Sequence, residues 1–337
     1  MKTAETHTDL INNPLDEKNF RSIRQSLLNK AGVNYADFKK SLTPKYGKVW
    51  FDIFLGWLLL ISIFVLSAFA FENSGLLLRM VVLIIGAAFG GYMIAYLTNF
   101  FHEAAHFNIS KSRTKNDQLA NLSIGILLGQ GIKNYRIIHW EHHKNLGQPT
   151  DMEISYFESL SPAFILKSLF GIRVFKLLSA RNNFLNAQSV EKLKELKREA
   201  LVQLIVGFLF HVLVLSVFVY FRQWWMMAEW IIAVGCFYPL FNSLRQLLEH
   251  RSDDAHKEEN YREISHGQHT RLFGNNPFQK SFGSAGFNKH LLHHLEPNIS
   301  YTRLNDLQKF LEESDIGESV KQKRTSYTIT FFTLFNR

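Results

Sequence analysis

The segment WFDIFLGWLLLISIFVLSAFAF, residues 50–71, decides the fold class of this chain. It is almost wholly apolar, and its length matches the roughly 20 residues that an α-helix needs to cross a bilayer. Three further segments have the same character, at about residues 75–101, 201–221 and 226–248. Very short polar links join the first segment to the second and the third to the fourth. The sequence therefore predicts an all-α integral membrane protein whose four transmembrane helices form two hairpins.

The distribution of basic residues predicts the orientation of these helices. The chain has a net charge of +9, and fourteen Lys and Arg residues lie between positions 102 and 200. The two short links contain only one, Arg222. Because basic residues favour the cytosolic side, we expect both termini and the long middle region to be cytosolic. The N-terminus has no apolar core, so it does not resemble a secretory signal peptide. The bacterial inner membrane and the endoplasmic reticulum both fit this topology.

The same pattern divides the chain into three parts. Residues 1–47 are predicted to be a cytosolic N-terminal segment, and residues 312–337 a cytosolic tail. Between them, residues 48–311 form a membrane domain with a helical cytosolic cap, made of residues 102–200 and 249–311. Two apolar stretches in this cap, 119–128 and 160–178, are too short to span and indicate helices at the membrane interface. The single cysteine, Cys236, excludes an internal disulfide.

Nine of the fourteen histidines form four tight groups at or just beyond the ends of apolar segments. The groups are His102 and His106; His139, His142 and His143; His250; and His290, His293 and His294. Residues three or four apart share one face of a helix, so each larger group offers several imidazoles together. Such a concentration of neutral nitrogen donors indicates a transition-metal centre. Because the donors exceed what one tetrahedral zinc can use, two metals are the simpler count.

Two other interpretations of these histidines stay open at this point. The first group, HEAAH, matches the zinc metalloprotease pattern H-E-x-x-H, in which Glu103 would be the general base. That interpretation leaves seven clustered histidines without a role. A metal transporter or sensor could also use histidine clusters, but it would more often distribute its ligands along the membrane helices.

The sequences HEAAH, HWEHH and HLLHHLEP resemble the three histidine boxes of the membrane fatty acid desaturase family. The resemblance extends from about residue 50 to residue 311 and is weakest in the two termini. It implies two non-haem irons bound by the nine histidines, with His250 in the place of a further family ligand, and O₂ as co-substrate. Gln246 corresponds to a polar residue that reaches the metal through water in some members. The resemblance also suggests several residues that orient the ligands: Glu103, Glu141, Asp151, Arg245 and Glu249.

The activity implied by this resemblance is that of an oxidoreductase that introduces a double bond into an acyl chain of a membrane lipid. A di-iron hydroxylase or ketolase, or a desaturase of a specialised metabolite, would use the same boxes. The chain has no haem motif, iron–sulfur cysteine set or dinucleotide fingerprint, so we expect a separate electron carrier, ferredoxin or cytochrome b5. No nucleic-acid partner is expected. Of the other histidines, His211 is predicted to hydrogen-bond within the bundle, and His266 and His269 to lie in a surface loop.

Overall fold

The computed structural model describes residues 13–174, 179 and 190–335. Side-chain caps begin several of its helices, as at Asp16, whose carboxylate accepts from the backbone N–H of Lys18 at 2.9 Å. The helices are α1 (Glu17–Ile23), α2 (Tyr35–Ser41), α3 (Tyr46–Glu72), α4 (Leu76–Ala105), α5 (Arg113–Ala120), α6 (Ile126–Leu128), α7 (Ile132–Asn145), α8 (Pro162–Leu169), α9 (Val190–Tyr220), α10 (Trp224–Ile232), α11 (Tyr238–His250), α12 (Pro277–Phe282), α13 (His290–Leu295), α14 (Leu304–Glu312), α15 (Gly317–Gln322) and α16 (Tyr327–Phe335).

Short irregular elements connect these helices. One π-helical turn, Asn121–Gly125, joins α5 to α6, and a second, Ala233–Phe237, joins α10 to α11. Two-residue strands β1 (Leu272–Phe273) and β2 (Arg324–Thr325) form a parallel pair. The 3-10 turns are Arg24–Ser26, Ser155–Phe157, Ser284–Lys289 and Tyr301–Arg303.

Within the described residues, four helices are long and apolar enough to cross a membrane, which confirms the predicted number: Tyr46–Glu72, Leu76–Ala105, Leu193–Tyr220 and Trp224–His250. The fourth combines α10, its π turn and α11. These helices extend beyond the apolar segments at one or both ends, because helix formation continues into the neighbouring residues. Many of their large apolar side chains point outward, for example Leu77 at 79 % exposed. An outward apolar surface of this kind suits contact with lipid.

Close contacts among the membrane helices depend on glycine and on a buried carboxyl group. A Cβ on Gly91 of α4 would lie 2.5 Å from the Cβ of Phe237, so only glycine lets the π turn pack this tightly. Near the other end of the helices, Ser67 of α3 donates a hydrogen bond to Glu229 of α10 at 2.9 Å. Gly86 of α4 faces the same carboxyl group. Three membrane helices therefore meet at Glu229.

Residues 15–42 and the C-terminal helix α15 pack against the part of the chain that carries the third histidine box. Residues 15–42 share an apolar core with α13, α14 and α15, in which Phe38 stacks on Phe310 at 4.3 Å between ring centroids. Glu296, just after the third histidine box, accepts hydrogen bonds from the hydroxyl of Tyr35 at 2.6 Å and from Lys39. The N-terminal helices thus cover α13, and they help to fix the position of its histidines.

Candidate metal centre

The nine histidines lie at the ends of four helices that converge on one region. His102 occupies the last turn of α4 and His106 its C-cap, while His250 is the last residue of α11. The HWEHH box lies in the last two turns of α7, and α13 consists largely of the third box. All nine side chains are buried, none more than 6 % exposed. The fold therefore brings together the whole set that the sequence singled out.

The histidines form two groups, and within each group the ligand nitrogens all lie within 4.8 Å of one another. The first group contains His102, His106, His139, His143 and His293. The second group contains His142, His250, His290 and His294. A third combination, Glu17 with His143 and His294, overlaps both groups. The two groups are adjacent candidate metal sites, one with five imidazoles and one with four.

Helix geometry explains how the two H-x-x-H-H boxes divide between the groups. On α7, His139 and His143 are four residues apart and point to the first group, while His142 turns to the second. On α13 the assignment is reversed, since His290 and His294 serve the second group and His293 serves the first. Each box therefore contributes two ligands to one site and one to the other. The two helices together hold both sites.

The spacing of the imidazole nitrogens fits bound metal better than hydrogen bonding. In the first group, the Nε2 of His139 lies 2.8 Å from that of His106 and 3.0 Å from that of His143. In the second group, the Nε2 of His290 lies 2.9 Å from that of His250 and 3.2 Å from that of His294. A ring nitrogen offers one in-plane proton or one lone pair, so it cannot form two such hydrogen bonds. Two nitrogen atoms that each bind one transition metal at about 2.1 Å, with an N–metal–N angle of about 90°, would lie about 3 Å apart.

Buried histidine nitrogens without a hydrogen-bond partner also indicate a metal site. Both ring nitrogens of His102 and the Nε2 of His142 are buried and have no hydrogen-bond partner among the described residues. A buried polar atom left unpaired costs about 1–3 kcal/mol, so such atoms call for a missing partner. The residues present fit two metal ions bound by neutral imidazoles.

Most of the histidines outside the membrane spans are held in the neutral form that metal binding needs. Burial, reinforced by neighbouring imidazoles, holds the pKa of His106, His143, His290 and His293 well below the usual value. Burial also lowers the pKa of His139 to about 4, against the opposing effect of Glu153.

His142 is the exception among these residues. Its burial would lower its pKa, but the carboxylates of Asp151 and Glu153 together outweigh burial and raise the pKa to about 9. In the metal-free protein, His142 is therefore protonated at neutral pH. A metal that binds its nitrogen must displace a proton.

Hydrogen-bond acceptors behind the ligands orient mainly the second group. Asp151 lies 2.9 Å from the Nδ1 of His142 and is itself hydrogen-bonded by the hydroxyl of Tyr156. The Nδ1 of His250 lies 3.1 Å from the carbonyl oxygen of His269. The Nδ1 of His294 lies 3.2 Å from the Oε1 of Glu17. Acceptors in this position fix the ring orientation and raise the basicity of the ligand nitrogen.

Three of the residues predicted to support the ligands make their polar contacts with other groups. Glu103 accepts from the backbone N–H of Tyr301 at 3.2 Å, and Glu249 pairs with Arg245 at 2.5 Å. Arg245 also lies over the ring of Phe287, 3.8 Å from its centroid, and Phe287 packs on His102 and His290. The pair of Arg245 and Glu249 therefore reaches the histidines through an aromatic ring.

Two other predicted residues have contrasting surroundings. Gln246 donates to Glu153 at 2.5 Å, and Glu153 lies 3.5 Å from the Nδ1 of His139, so Gln246 is connected to the first group through this carboxylate. Glu141, on the opposite side of α7, contacts Lys144 at 2.6 Å and Asn145. Asp151, of all the predicted supporting residues, has the shortest contact with a ligand histidine.

Of the other histidines in the described part of the chain, His211 lies in the bundle and His266 in a loop. His211 lies 3.2 Å from the carbonyl oxygen of Leu127 and accepts from the indole of Trp230, also at 3.2 Å, as a hydrogen-bonded residue within the bundle should. His266 belongs to a loop, but it is buried against the rings of Tyr156 and Tyr261, contrary to the prediction of a surface position. Packing against one distant ring, Tyr156, and one nearby ring, Tyr261, buries His266 despite its charged sequence neighbours.

Sequence reasoning did not single out Glu17 or Glu153. Glu153 lies two residues after Asp151, so proximity to the second box could have drawn attention to it. Glu17 has no comparable signal, because it is far from every box in sequence and reaches His294 only through the packing of the N-terminal helices.

A cavity of about 410 Å³ connects both groups to the membrane helices. His102 and His139 of the first group and His290 of the second line one end. The cavity continues to His211 of α9 and to Gly235, in the π turn of the fourth membrane helix. Its volume is in the range typical of small-molecule sites. The centre is thus accessible to a ligand that lies along the membrane helices.

Comparison with known proteins agrees with this geometry. The model of the family described as Fatty acid desaturase matches residues 78–322, which is more than half of the chain and includes all nine histidines. The comparison with curated proteins gives no match. Four apolar helices, two buried histidine groups and a family match over most of the sequence together lead to one conclusion: the chain belongs to the fatty acid desaturase family.

Proposed function

We propose that this protein is an O₂-dependent di-iron desaturase that introduces a double bond into an acyl chain of a membrane lipid. The observation that carries the proposal is the cavity that touches histidines of both groups and continues between the membrane helices. A substrate in this cavity would place one of its C–H bonds beside both metal sites. Residues 234–246 line the cavity over about 18 Å of helix, long enough for an extended hydrocarbon segment.

The residues of this chain would bind and position the substrate. Leu127, Leu128 and Val234 provide apolar walls in the part of the cavity that lies between membrane helices. Phe287 lines the end next to the histidines, where it packs on both groups. These side chains would exclude water from the reacting carbon and fix which bond faces the metals.

The nine histidines would hold two irons, whose chemistry when bound is the reductive activation of dioxygen. Asp151, Glu17 and the carbonyl of His269 would keep the imidazoles of the second group oriented toward the metal. Glu153 also lines the cavity and lies within 4 Å of nitrogens of His139 and His142. Its carboxylate therefore places a negative charge beside both groups at the edge of the site.

The proposed topology places the metal centre and both termini on the cytosolic side, with the membrane helices as two hairpins. The antiparallel order of contacts supports the first hairpin, since Gly56 of α3 faces Leu97 while Phe64 faces Gly90. A separate carrier, ferredoxin or cytochrome b5, would deliver electrons to the basic cytosolic side. Cys236 is the only cysteine in the sequence, so a Cys236→Ser variant provides a cysteine-free background. In that background, Ser74→Cys or Lys321→Cys tests which side of the membrane each position faces, by labelling of the cysteine in intact cells.

The contacts of Glu103 argue against the zinc protease. A general base must lie next to the metal-bound water, whereas the Oε2 of Glu103 accepts from the backbone of Tyr301. The protease interpretation also gives no role to the second group of histidines.

Mass spectrometry of lipids and metabolites from cells grown under labelled dioxygen tests the proposal. The His142→Ala variant is the control, because it removes one ligand and its acceptor contact. A variant-sensitive product that is lighter by two hydrogens and carries no label is expected. A product that gains labelled oxygen instead would identify a hydroxylase or ketolase and overturn the desaturase assignment.

A further inference from the structure

A second cavity, of about 380 Å³, lies beside α3 and α4 and is lined by residues other than the metal-ligand histidines. One wall is a face of α3 that carries Lys48, Asp52, Leu55 and Leu59 at spacings of four, three and four residues. Facing residues of α4 are Met93, Tyr96 and Phe100, and the segment around α12 forms the remaining wall. The cavity lies at the end of the membrane helices near His102.

The wall around α12 is fixed to α4 by hydrogen bonds. The hydroxyl groups of Tyr92 and Ser281 lie 2.7 Å apart, and Asn99 donates to the Oγ of Ser284 at 2.8 Å. The next residue, Ala285, has a positive φ of 51°, which is unusual for a residue other than glycine. The cavity is therefore preformed by rigid contacts rather than by a loose loop.

One end of this cavity has an excess of positive charge. Lys48 is paired with Asp52 at 2.7 Å, but Lys280 has no carboxylate partner in the described part of the chain. Lys289 is only 4 % exposed, and its ammonium group donates to the amide oxygen of Gln308. The nearby carboxylate of Glu312 is itself paired with Arg324 at 2.6 Å, so it is shared between two cations and an anion in the cavity would still be favoured.

The other end of the cavity is apolar and reaches the lipid-facing surface. Leu55 and Met93 line it, and Leu59 is 43 % exposed on the outer side of α3. From Lys48 to Leu59 the helix rises about 16 Å. That length accommodates a charged headgroup at one end and the first part of an acyl chain at the other.

We propose that this cavity is a binding site for an anionic phospholipid, with the phosphate beside Lys280 and Lys289 and the acyl chain against Leu55 and Leu59. The site is separate from the metal centre, and the inference does not depend on which reaction that centre catalyses. Basic pockets between membrane helices at the cytosolic boundary have the chemistry that binds such headgroups.

Thermal melting and native mass spectrometry of the full-length protein in detergent test this site. Phosphatidylglycerol should raise the melting temperature and remain bound, whereas phosphatidylcholine should do neither at the same concentration. Lys280→Gln should require about fivefold more phosphatidylglycerol for the same effect. The matched control is Lys111→Gln, which removes an exposed lysine outside the cavity and should behave as the wild type.

A second variant and a second ligand separate the lipid from a free anion. Leu59→Gln should weaken phosphatidylglycerol binding, and because Leu59 is 43 % exposed the variant should fold as the wild type does. Stabilisation by inorganic phosphate equal to that by the lipid would overturn the lipid assignment. Equal effects of the two phospholipids, or equal losses in Lys280→Gln and Lys111→Gln, would overturn the site itself.

Discussion

The two histidine groups are adjacent, yet different forces hold them. In the second group, three of the four rings have an acceptor within 3.2 Å of Nδ1, supplied by Asp151, Glu17 and the carbonyl oxygen of His269. In the first group, the Nδ1 atoms of His102, His106 and His143 are buried without such a partner among the described residues. There the rings are fixed mainly by packing, as where Phe287 and His102 lie 4.4 Å apart.

This difference has a chemical consequence for the two sites. Carboxylates that accept from Nδ1 make a ligand more basic and stabilise positive charge on the ring, whereas apolar packing disfavours that charge. His142 and His139 illustrate the contrast, with a pKa of about 9 and about 4 respectively, although they belong to the same helix. We therefore expect the second site to respond to pH and to changes in its acceptors, and the first site to respond to neither.

Loss of a ligand should have the largest effect, and it should be equal for both groups. His143→Ala removes a ligand of the first group, and His290→Ala removes one of the second. Each variant should lose turnover completely, and the iron content should fall from about two to about one per chain, because each site loses a ligand nitrogen that cannot be replaced locally. Activity assays and metal analysis of the purified variants check this. Full activity in His290→Ala would contradict the two-site interpretation and favour the zinc protease.

The second-largest effect should be the pH dependence of metal affinity, which should differ between the two groups. Below pH 9 the metal-free second site holds a proton on His142, so raising the pH removes a competitor and strengthens metal binding. Between pH 6 and pH 8 the affinity of this site should rise about a hundredfold, or tenfold per pH unit. The first site, with His139 already neutral above about pH 4, should change little. Competition with a chelator at several pH values measures both, and equal slopes would refute the contrast.

Removal of the carboxylate behind His142 should have a smaller effect that is confined to one site. Asp151→Asn keeps the size of the side chain but removes the negative charge. We expect metal affinity at the second site to fall by about 10- to 100-fold, the usual result when such an acceptor is lost. Tyr156→Phe, which removes only the hydroxyl that contacts Asp151, should be milder. An equal loss at both sites in Asp151→Asn would indicate a general folding defect.

The contact from the N-terminal segment should matter least. Glu17→Gln weakens the acceptor at His294, and we expect about a 2- to 10-fold loss of affinity at the second site, as for one hydrogen bond. Glu141→Gln is the matched control, since this carboxylate lies on α7 but contacts Lys144 rather than a ligand. It should stay within roughly twofold of the wild type. If Glu17→Gln leaves the metal affinity of the second site unchanged, α1 covers that site without orienting His294.

Much of this molecule could be predicted from local sequence. Runs of about 20 apolar residues require membrane helices, because backbone polar groups have no other partner in lipid. The predicted number of membrane-length helices was correct for this reason. Most helix ends lie beyond the predicted ends, because residues outside the apolar run also form helix. The nine histidines were recognisable because spacings of three and four residues place side chains on one helical face.

The division of these histidines between two sites was beyond local sequence. Both H-x-x-H-H boxes are identical as patterns, yet α7 gives two ligands to the first group and α13 gives two to the second. That reversal depends on how each helix is rotated against its neighbours, which is set by packing across the whole fold. The acceptor role of Glu17 is likewise a long-range result, since 277 residues separate it from His294. Local sequence is enough to predict the helices and the kind of side chain that could bind metal, because both follow from short-range spacing. The tertiary structure alone decided which ligands share a site and which carboxylates stand behind them, because only packing brings distant residues together.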